Sequence, residues 1–219
     1  MTIEGHAWTA ERFGDPREVL GWSPRTWGQP AEGNIVVEVR AAGVGLPDSL
    51  MLEGVYPLVA QPPITPGQEV CGTVAAVGPN SRFSTGDRVF GTTQFYAGSG
   101  GFATHATMAE SMAFPAPDQF TDEQAAGFYI GYRTAYTALV TRCVLQPGET
   151  VLVLGGAGST GAASIALAKA LDARVVAMAS TTAKRTFCTC LLYTSPSPRD
   201  CNEYLVCRLL LEKGGGGGG

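Results

Sequence analysis

The chain has 219 residues, with 15 lysines and arginines against 19 aspartates and glutamates, which gives a formal net charge of −4. A mildly acidic chain without a basic run offers no electrostatic footprint for nucleic acid or for an anionic membrane. We find no apolar run of the roughly 18 residues that a membrane span needs, and no leader-like start. The cysteines follow no disulfide-framework spacing, so we expect a cytoplasmic protein.

The first 120 residues predict a small domain of β-strands. Apolar alternation or short apolar runs mark strands over 7–13, 35–44, 70–77 and 102–108. Glycine-containing turns separate them at roughly ten-residue spacing, which is typical of a partly open β-barrel. A short helix is predicted over 48–53.

The second domain is predicted over residues 121–189 and begins with helices. Thr121-Asp-Glu-Gln124 is a capping-box pattern that opens a helical run toward Tyr129. A second helical stretch is predicted from Thr134 to Arg142. The complete fold class is therefore mixed α/β, with a barrel followed by a nucleotide-binding type of domain.

A glycine-rich turn is the main feature of this second domain. Val151 to Leu154 predict a strand buried on both faces, and Ala162 to Leu171 predict a helix. Such a turn lets backbone N–H groups approach a pyrophosphate at the positive end of a helix. The predicted cofactor-binding residues here are Gly155, Gly158, Ser159, Thr160 and Gly161. The alternative is an ordinary strand-to-helix turn.

The cofactor type is suggested by the residues after the next strand, which is predicted over 174–179. A cofactor without a 2′-phosphate usually meets a carboxylate about twenty residues beyond the glycines. This chain instead has Ser180, Thr181 and Thr182, followed by Lys184 and Arg185. Hydroxyls and cations attract a 2′-phosphate, so NADPH is favoured, with Ser180, Lys184 and Arg185 as binding residues. A solvated helix start is the alternative.

The segment 190–219 differs abruptly from the rest and ends in six glycines. Cys190-Leu-Leu-Tyr-Thr-Ser-Pro-Ser-Pro-Arg-Asp200 resembles the direct translation of a transposase-type sequencing adapter. We therefore expect residues 190–219 to be a non-native, disordered tail, and the nucleotide-binding domain to be truncated near residue 189.

Seven motifs together resemble the medium-chain dehydrogenase/reductase superfamily, and within it the zinc-independent quinone oxidoreductases. They are Glu38-Val-Arg-Ala-Ala-Gly-Val-Gly45-Leu-Pro-Asp48, Gly54-Val-Tyr56-Pro57, Pro66-Gly-Gln-Glu69, Gly72-Thr-Val-Ala-Ala-Val-Gly78, Gly86-Asp-Arg-Val89, Gly101-Phe-Ala103 and Leu145-Gln-Pro-Gly-Glu-Thr-Val-Leu-Val153. The resemblance implies a GroES-like catalytic domain, a Rossmann domain, and a substrate pocket between them.

Comparison with the zinc-dependent members of the superfamily implies that no metal is bound. Those members carry a cysteine where this chain has Gly45 or Leu46, and a histidine where it has Gln68. Both changes remove ligand atoms that zinc prefers. The zinc-independent branch often has asparagine at position 45, where this chain has glycine.

Two residues align with positions near the substrate or nicotinamide in the family. The resemblance implies that Tyr56 faces the cleft and steadies a substrate oxygen; packing beside Pro57 is the alternative. Thr134 aligns with a threonine that approaches the nicotinamide, and a helix-start cap is its alternative. Asp48 aligns with a recurrent aspartate whose expected role is structural.

The implied function is hydride transfer from NADPH to a small-molecule quinone or activated enone. The parent protein is expected to be a homodimer, and the truncated chain to be inactive or to aggregate. Two alternatives remain: an enoyl-thioester reductase of the same superfamily, and a non-catalytic nucleotide-binding or structural protein.

Overall fold

The structure is a computed structural model that describes residues 2–58 and 61–193. The chain divides into two compact units, the first ending at Ile130 and the second beginning at Gly131. A boundary after residue 120 was predicted, but the helix that follows it belongs to the first unit. Arg88 holds this helix through Asp122, to whose Oδ1 its Nε donates at 2.9 Å. Ala125 and Ala126 are buried against the sheet beside Cys71 and Phe90.

The first unit is built mainly from antiparallel strands. Its elements are β1 (Ile3–Ala10), α1 (Pro16–Val19), β2 (Leu20–Trp27), β3 (Asn34–Gly43), α2 (Leu46–Leu52), β4 (Glu69–Val77), β5 (Arg88–Thr92), β6 (His105–Ala109), β7 (Ala113–Pro115) and α3 (Asp122–Ala126). Five of the strands form one curled sheet in the order β6-β3-β4-β5-β7, while β1 and β2 form a hairpin. The predicted partly open barrel is confirmed.

The core of this unit follows from strand alternation. Ile35 and Val37 point to the same side of β3 and are fully buried, as are Val70, Val89 and Met108 on neighbouring strands. At Gly72 of β4, a Cβ atom would lie 2.1 Å from the carbonyl oxygen of Glu38 on β3. Glycine at this position lets the two central strands pair closely.

The hairpin departs from the predicted strands. β1 runs from Ile3 to Ala10, earlier than predicted, and pairs with β2, which was not predicted. Gly21 and Pro24 weaken the strand pattern of β2. Proline is tolerated in an edge strand because one edge of such a strand forms no hydrogen bonds to a neighbouring strand. Trp8 pairs directly with Trp22, and their rings lie 5.4 Å apart. This aromatic pairing stabilises the hairpin.

The second unit contains one βαβ arrangement. Helix α4 (Tyr129–Tyr136) leads into it and continues as a π-helical segment, Thr137–Arg142. The remaining elements are β8 (Thr150–Val153), α5 (Ser159–Ala170), β9 (Arg174–Ala177) and α6 (Thr182–Tyr193). β8 and β9 are parallel, with Val151 opposite Val175. The strand-turn-helix-strand order predicted from the sequence is present.

The burial of β8 differs from the prediction that the strand is covered on both faces. Val153 is only 7% exposed and packs with Ile165 of α5 and Cys188 of α6. Leu152 and Leu154, which point the other way, are 54% and 66% exposed. Among the residues that the structure describes, the helices of this unit cover one face of the strand pair and leave the other exposed.

Helix α6 continues through residues 190–193, the first part of the segment predicted to be disordered. Residues 194–219 lie outside the described residues. Within residues 2–58 and 61–193, no helix is both long and apolar enough to cross a bilayer.

Candidate active site

The glycine turn connects β8 to α5 with a geometry that excludes larger side chains at one position. Gly155 has a φ of 65°, in the left-handed region that glycine adopts easily. A Cβ atom on Gly161 would lie 2.4 Å from the carbonyl oxygen of Gly155 and 2.8 Å from the Cα of Gly156. The first turn of the helix therefore lies directly against the loop because residue 161 has no side chain.

The start of α5 leaves its backbone donors available. Gly158 is the N-cap and offers no side-chain cap, while Ser159 and Thr160 are the first helical residues and are exposed. The first N–H groups of a twelve-residue helix carry partial positive charge and have no acceptor within the helix. The arrangement fits a pyrophosphate group on the backbone N–H groups.

The residues predicted to select the cofactor lie at the same edge of the strand pair. Gly156 donates its N–H to the carbonyl oxygen of Met178 at 2.9 Å, so the end of β8 and the end of β9 are joined. Ser180 follows β9 in a bend and is exposed. Because the carboxyl ends of two parallel strands lie at the same end of the sheet, the glycine turn and Ser180 follow from that same end.

Lys184 and Arg185 occupy the first turn of α6. Thr181 caps this helix by accepting from the Lys184 N–H at 3.3 Å. The Arg185 guanidinium donates through Nη2 to Thr182 Oγ1 at 2.9 Å, while the Lys184 side chain is exposed. Between Met178 and Thr186 the sequence has no carboxylate. The segment after β9 thus carries two cations and the hydroxyls of Ser180, Thr181, Thr182 and Thr186.

A second group of functional residues lies in the first unit, around the buried carboxylate of Asp48. Asp48 is 5% exposed and accepts from the Gly45 N–H at 2.8 Å and from the Gly67 N–H at 2.9 Å. Burial raises the pKa of this carboxyl, although the backbone hydrogen bonds oppose that rise. Asp48 therefore joins the start of α2 to a loop nineteen residues further along the sequence.

Glu69 is a second buried carboxyl near Asp48. Its Oε2 accepts from the Ile130 N–H at 2.8 Å, and the residue is 8% exposed. Burial raises the pKa of Glu69 to about 7, and the negative charge of Asp48 adds to the rise. In the sequence, Glu69 stands only as part of the Pro66 to Glu69 motif. Its position at the start of an apolar strand was the available signal that its carboxyl is buried.

The positions that the family resemblance equates with zinc ligands lie at or next to the two glycines that Asp48 holds. Gly45 has no side chain, Leu46 is 71% exposed, and Gln68 is 6% exposed with an Nε2 that has no hydrogen-bond partner within the described residues. None of these supplies a thiolate or an imidazole. In the part of the chain that the structure describes, no three His, Cys, Asp or Glu side chains group together as a metal site.

The two predicted catalytic residues lie in different units. Tyr56 is half-buried in the first unit, after α2, and its ring centroid lies 6.5 Å from that of Phe95. Thr134 is exposed within α4 of the second unit. The alternative role of Thr134 as a helix-start cap is wrong, because the helix begins at Tyr129. Tyr56 packs against an aromatic ring and not only beside Pro57.

Comparison with known proteins gives the family. Residues 31–118 match the model of the alcohol dehydrogenase GroES-like domain. The chain is 35% identical to human quinone oxidoreductase over 153 residues, which covers 69% of this chain and 46% of the human protein. The chain belongs to the medium-chain dehydrogenase/reductase superfamily. It spans about half the length of the curated quinone oxidoreductases that it matches.

Solved structures of this superfamily share the fold. A probable oxidoreductase from Mycobacterium abscessus has a TM-score of 0.79 and 36% identity, over 86% of this chain and 60% of that one. A mycobacterial protein solved with NADPH has a TM-score of 0.76 and 33% identity, over 85% and 56%. The CurK enoyl reductase has a TM-score of 0.75 and 25% identity, over 86% and 57%. The medium-chain dehydrogenase/reductase fold with its Rossmann domain, predicted from the motifs, is confirmed.

Proposed function

We propose that the protein to which this chain belongs transfers a hydride from NADPH to a quinone or an activated enone, without a catalytic zinc. The observation that carries the proposal is the hydrogen bond from the Gly156 N–H of the glycine turn to the Met178 carbonyl oxygen, just before the segment with Ser180, Lys184 and Arg185. Support for the cofactor comes from the NADPH-bound mycobacterial relative. Support for the acceptor comes from the similarity to quinone oxidoreductases.

In this proposal each part of the βαβ unit holds one part of the cofactor. The N–H groups of Ser159 and Thr160 bind the pyrophosphate. Gly158, whose own N–H donates to the Gly155 carbonyl oxygen at 2.9 Å, shapes the turn together with Gly155 and Gly161. Lys184 and Arg185 neutralise the 2′-phosphate. NADPH, when bound, supplies the hydride, so the protein contributes binding, orientation and exclusion of water.

The substrate side of the proposal rests on the first unit. Gly45, Leu46 and Gln68 stand where metal ligands would be, and Asp48 holds their backbone. A quinone accepts a hydride readily, so a metal Lewis acid is not needed. Tyr56 donates its hydroxyl hydrogen bond to a substrate oxygen, and Thr134 contacts the nicotinamide side of the cofactor. These two roles come from the family resemblance.

The nucleotide-binding part of the proposal is tested with two pieces of the cofactor that need only the βαβ unit for binding. We expect the 219-residue chain to bind 2′-phospho-ADP-ribose at least about tenfold more tightly than ADP-ribose in calorimetric titrations, a difference of about 1.4 kcal/mol. Replacing both cations, Lys184→Ala with Arg185→Ala, removes most of this preference. The matched control is Arg174→Ala, because Arg174 is exposed at the opposite end of β9.

Two results would count against the proposal. Equal affinity for the two fragments would contradict the NADPH preference, and binding of neither would make the glycine turn an ordinary strand-to-helix connection. A preference that survives the double substitution would assign the 2′-phosphate to other residues.

An enoyl-thioester reductase is the second candidate, favoured by the structural similarity to the CurK enoyl reductase. The cofactor residues are the same in both proposals, and only the acceptor differs. Rates of NADPH oxidation by the full-length protein with a quinone and with a trans-enoyl thioester separate the two. A faster rate with the thioester would replace the quinone proposal.

A further inference from the structure

Arg25 lies on β2 with its guanidinium half-buried against the rest of the first unit. Its Nη1 donates to Thr65 Oγ1 at 2.7 Å and, at 3.4 Å, to the carbonyl oxygen of Gly98. The guanidinium carbon lies 5.7 Å from the ring centroid of Trp27, a cation–π distance. Burial lowers the pKa of Arg25, but an arginine stays charged in a protein. The residue is therefore a half-buried positive charge.

No carboxylate among the described residues forms an ion pair with this charge. Its Nε and Nη2 have no acceptor within residues 2–58 and 61–193. Arg17 shows what this edge of the guanidinium does elsewhere in the same chain, because its Nε and Nη2 hold both oxygens of Asp15 at 3.0 and 2.6 Å. A charge taken from water without an opposite partner is costly, whereas the Arg17 pair is exposed.

Arg25 lines a cavity of about 330 Å³. Hydrogen-bonding side chains line it together with Arg25: Trp27, Asn34, Gln94, Ser99 and Thr107. Trp27 is 95% buried, and its indole N–H has no partner within the described residues. Gln94 Nε2 donates to Asn34 Oδ1 at 2.6 Å, which fixes both amides. The lining contains no carboxylate.

A second cavity of about 580 Å³ adjoins Arg25 and includes the carboxylate of Glu4 and the imidazole of His6. Glu4 makes no ion pair with Arg25 among the described contacts. The positive charge is therefore not neutralised from this side either.

We propose that the 330 Å³ cavity is a binding site for a small organic anion, whose carboxylate or phosphate oxygens are held by Nε and Nη2 of Arg25. The hydroxyls of Ser99 and Thr107 are further donors on the residues that line the cavity, and the buried indole N–H of Trp27 lies beside Arg25 as a neighbour that can report binding. The guanidinium edge matches the two oxygens of either group. None of the residues proposed to bind NADPH or substrate lines this cavity, so the inference does not depend on the proposed function.

The test uses the Trp27 indole N–H as a reporter in the complete 219-residue chain. The chain is labelled with ¹⁵N, the Trp27 indole resonance is assigned with Trp27→Phe, and malonate or inorganic phosphate is added at constant ionic strength. We expect this resonance to shift to saturation with at least one of the two anions, and not with sodium chloride. A stronger response to malonate would assign a carboxylate ligand, and a stronger response to phosphate would assign a phosphate ligand.

Two substitutions make the test specific for Arg25. Arg25→Met keeps most of the aliphatic stem and removes the charge, so we expect affinity to fall at least about tenfold. Arg17→Met is the matched control, because Arg17 already holds Asp15, and its affinity is expected to equal that of the parent chain. Arg25→Lys keeps the charge without the two-pronged edge and covers the case in which Arg25→Met does not fold. We expect it also to bind more weakly than the parent.

Three outcomes would overturn the proposal. The first is a shift that never saturates or that sodium chloride reproduces. The second is an equal affinity of the parent and a folded Arg25→Met chain. The third is an Arg25→Lys chain that binds both anions as the parent does.

Discussion

Asp48 is the residue whose loss has the clearest structural consequence. Its two carboxylate oxygens accept backbone N–H groups from Gly45 and Gly67 at 2.8 and 2.9 Å inside the protein. Asp48→Asn replaces one acceptor by an NH₂ group that faces another donor. We expect the free energy of unfolding to fall by about 3 kcal/mol, because hydrogen bonds to a charged group are worth about 1.5–3 kcal/mol each. Urea denaturation measures this change.

Asp87→Asn is the matched control for this substitution. Asp87 accepts one N–H, that of Ser84, at 2.8 Å and is exposed. We expect it to lower the free energy of unfolding by no more than about 1 kcal/mol. Equal effects at the two positions would contradict the role given to Asp48.

Glu69 makes stability depend on pH in the direction opposite to most carboxylates. Its pKa is raised from 4.5 to about 7 in the folded chain, so between these values the folded state binds the proton more tightly than the unfolded state. The free energy of unfolding therefore falls as the pH rises through this range. The shift corresponds to at most about 3 kcal/mol. We expect Glu69→Gln to flatten this part of the pH profile in urea denaturation.

Glu18→Gln provides the comparison, since Glu18 is exposed on α1. Its pH profile is expected to follow that of the parent chain. A Glu69→Gln chain that loses stability between pH 4.5 and about 7 as steeply as the parent would refute the assignment.

Local contacts of single residues could be predicted from the sequence, whereas contacts between distant residues could not. The Thr121 to Gln124 capping box was predicted, and the structure has both of its hydrogen bonds, at 3.0 and 3.3 Å. This motif is local, so its geometry follows from spacing alone. The burial of Glu69 and the contacts of Asp48 depend on loops far apart in the sequence, and spacing carries no information about them.

At the scale of elements, the glycine turn depends on Gly161. The Cβ of alanine at this position would lie 2.4 Å from the Gly155 carbonyl oxygen and 2.8 Å from the Gly156 Cα. Both are backbone atoms, which cannot rotate away as a side chain can. We expect Gly161→Ala to displace the turn and to weaken binding of 2′-phospho-ADP-ribose at least about tenfold. Calorimetric titration measures the loss, and circular dichroism shows whether the remaining structure persists.

Gly28→Ala is a suitable control for adding a methyl group to a glycine. A Cβ at Gly28 would meet nothing within 4 Å. Its nucleotide affinity should match that of the parent chain. Unchanged affinity in Gly161→Ala would mean that the loop relaxes around the methyl group and that close backbone approach is not required.

Elements were predicted in proportion to the strength of their local pattern. The strand, glycine turn and helix of the βαβ unit were predicted within a few residues of their bounds, because an apolar run, glycines and an alanine-rich helix are strong signals. β2 was not predicted because its residues alternate poorly, and pairing with β1 across Trp8 and Trp22 decides its conformation. The full burial predicted for β8 was wrong, since burial depends on what covers a strand.

At the scale of the whole molecule, the open face of β8 predicts self-association. Leu152 of β8 is 54% exposed and Leu154, directly after the strand, is 66% exposed; exposed apolar strands tend to associate. We expect Leu152→Thr with Leu154→Thr to lower the apparent mass of the chain in concentration-dependent light scattering. The control is Leu58→Thr, because Leu58 is 62% exposed and lies outside the strands. An equal effect of the control would make general surface hydrophobicity the cause.

Hydride transfer is also expected to need more than this chain. The chain spans about half the length of the quinone oxidoreductases that it matches. We predict that the 219-residue chain binds the nucleotide without oxidising NADPH, as followed by NADPH absorbance with added quinone. The full-length protein is expected to oxidise it. Turnover by the 219-residue chain above that of heat-treated protein would contradict this prediction.

The hydrogen bonds of Asp48 separate the shape of the substrate loops from the chemistry of their side chains. Because Asp48 accepts hydrogen bonds from main-chain N–H groups, it holds Gly45 and Gly67 in place whatever side chains stand at positions 46 and 68. A lineage can then exchange metal ligands for an amide or an aliphatic group without rebuilding the loops. The same feature makes these positions a practical starting point for redesign, since new reactivity can be installed there on a backbone that is already fixed.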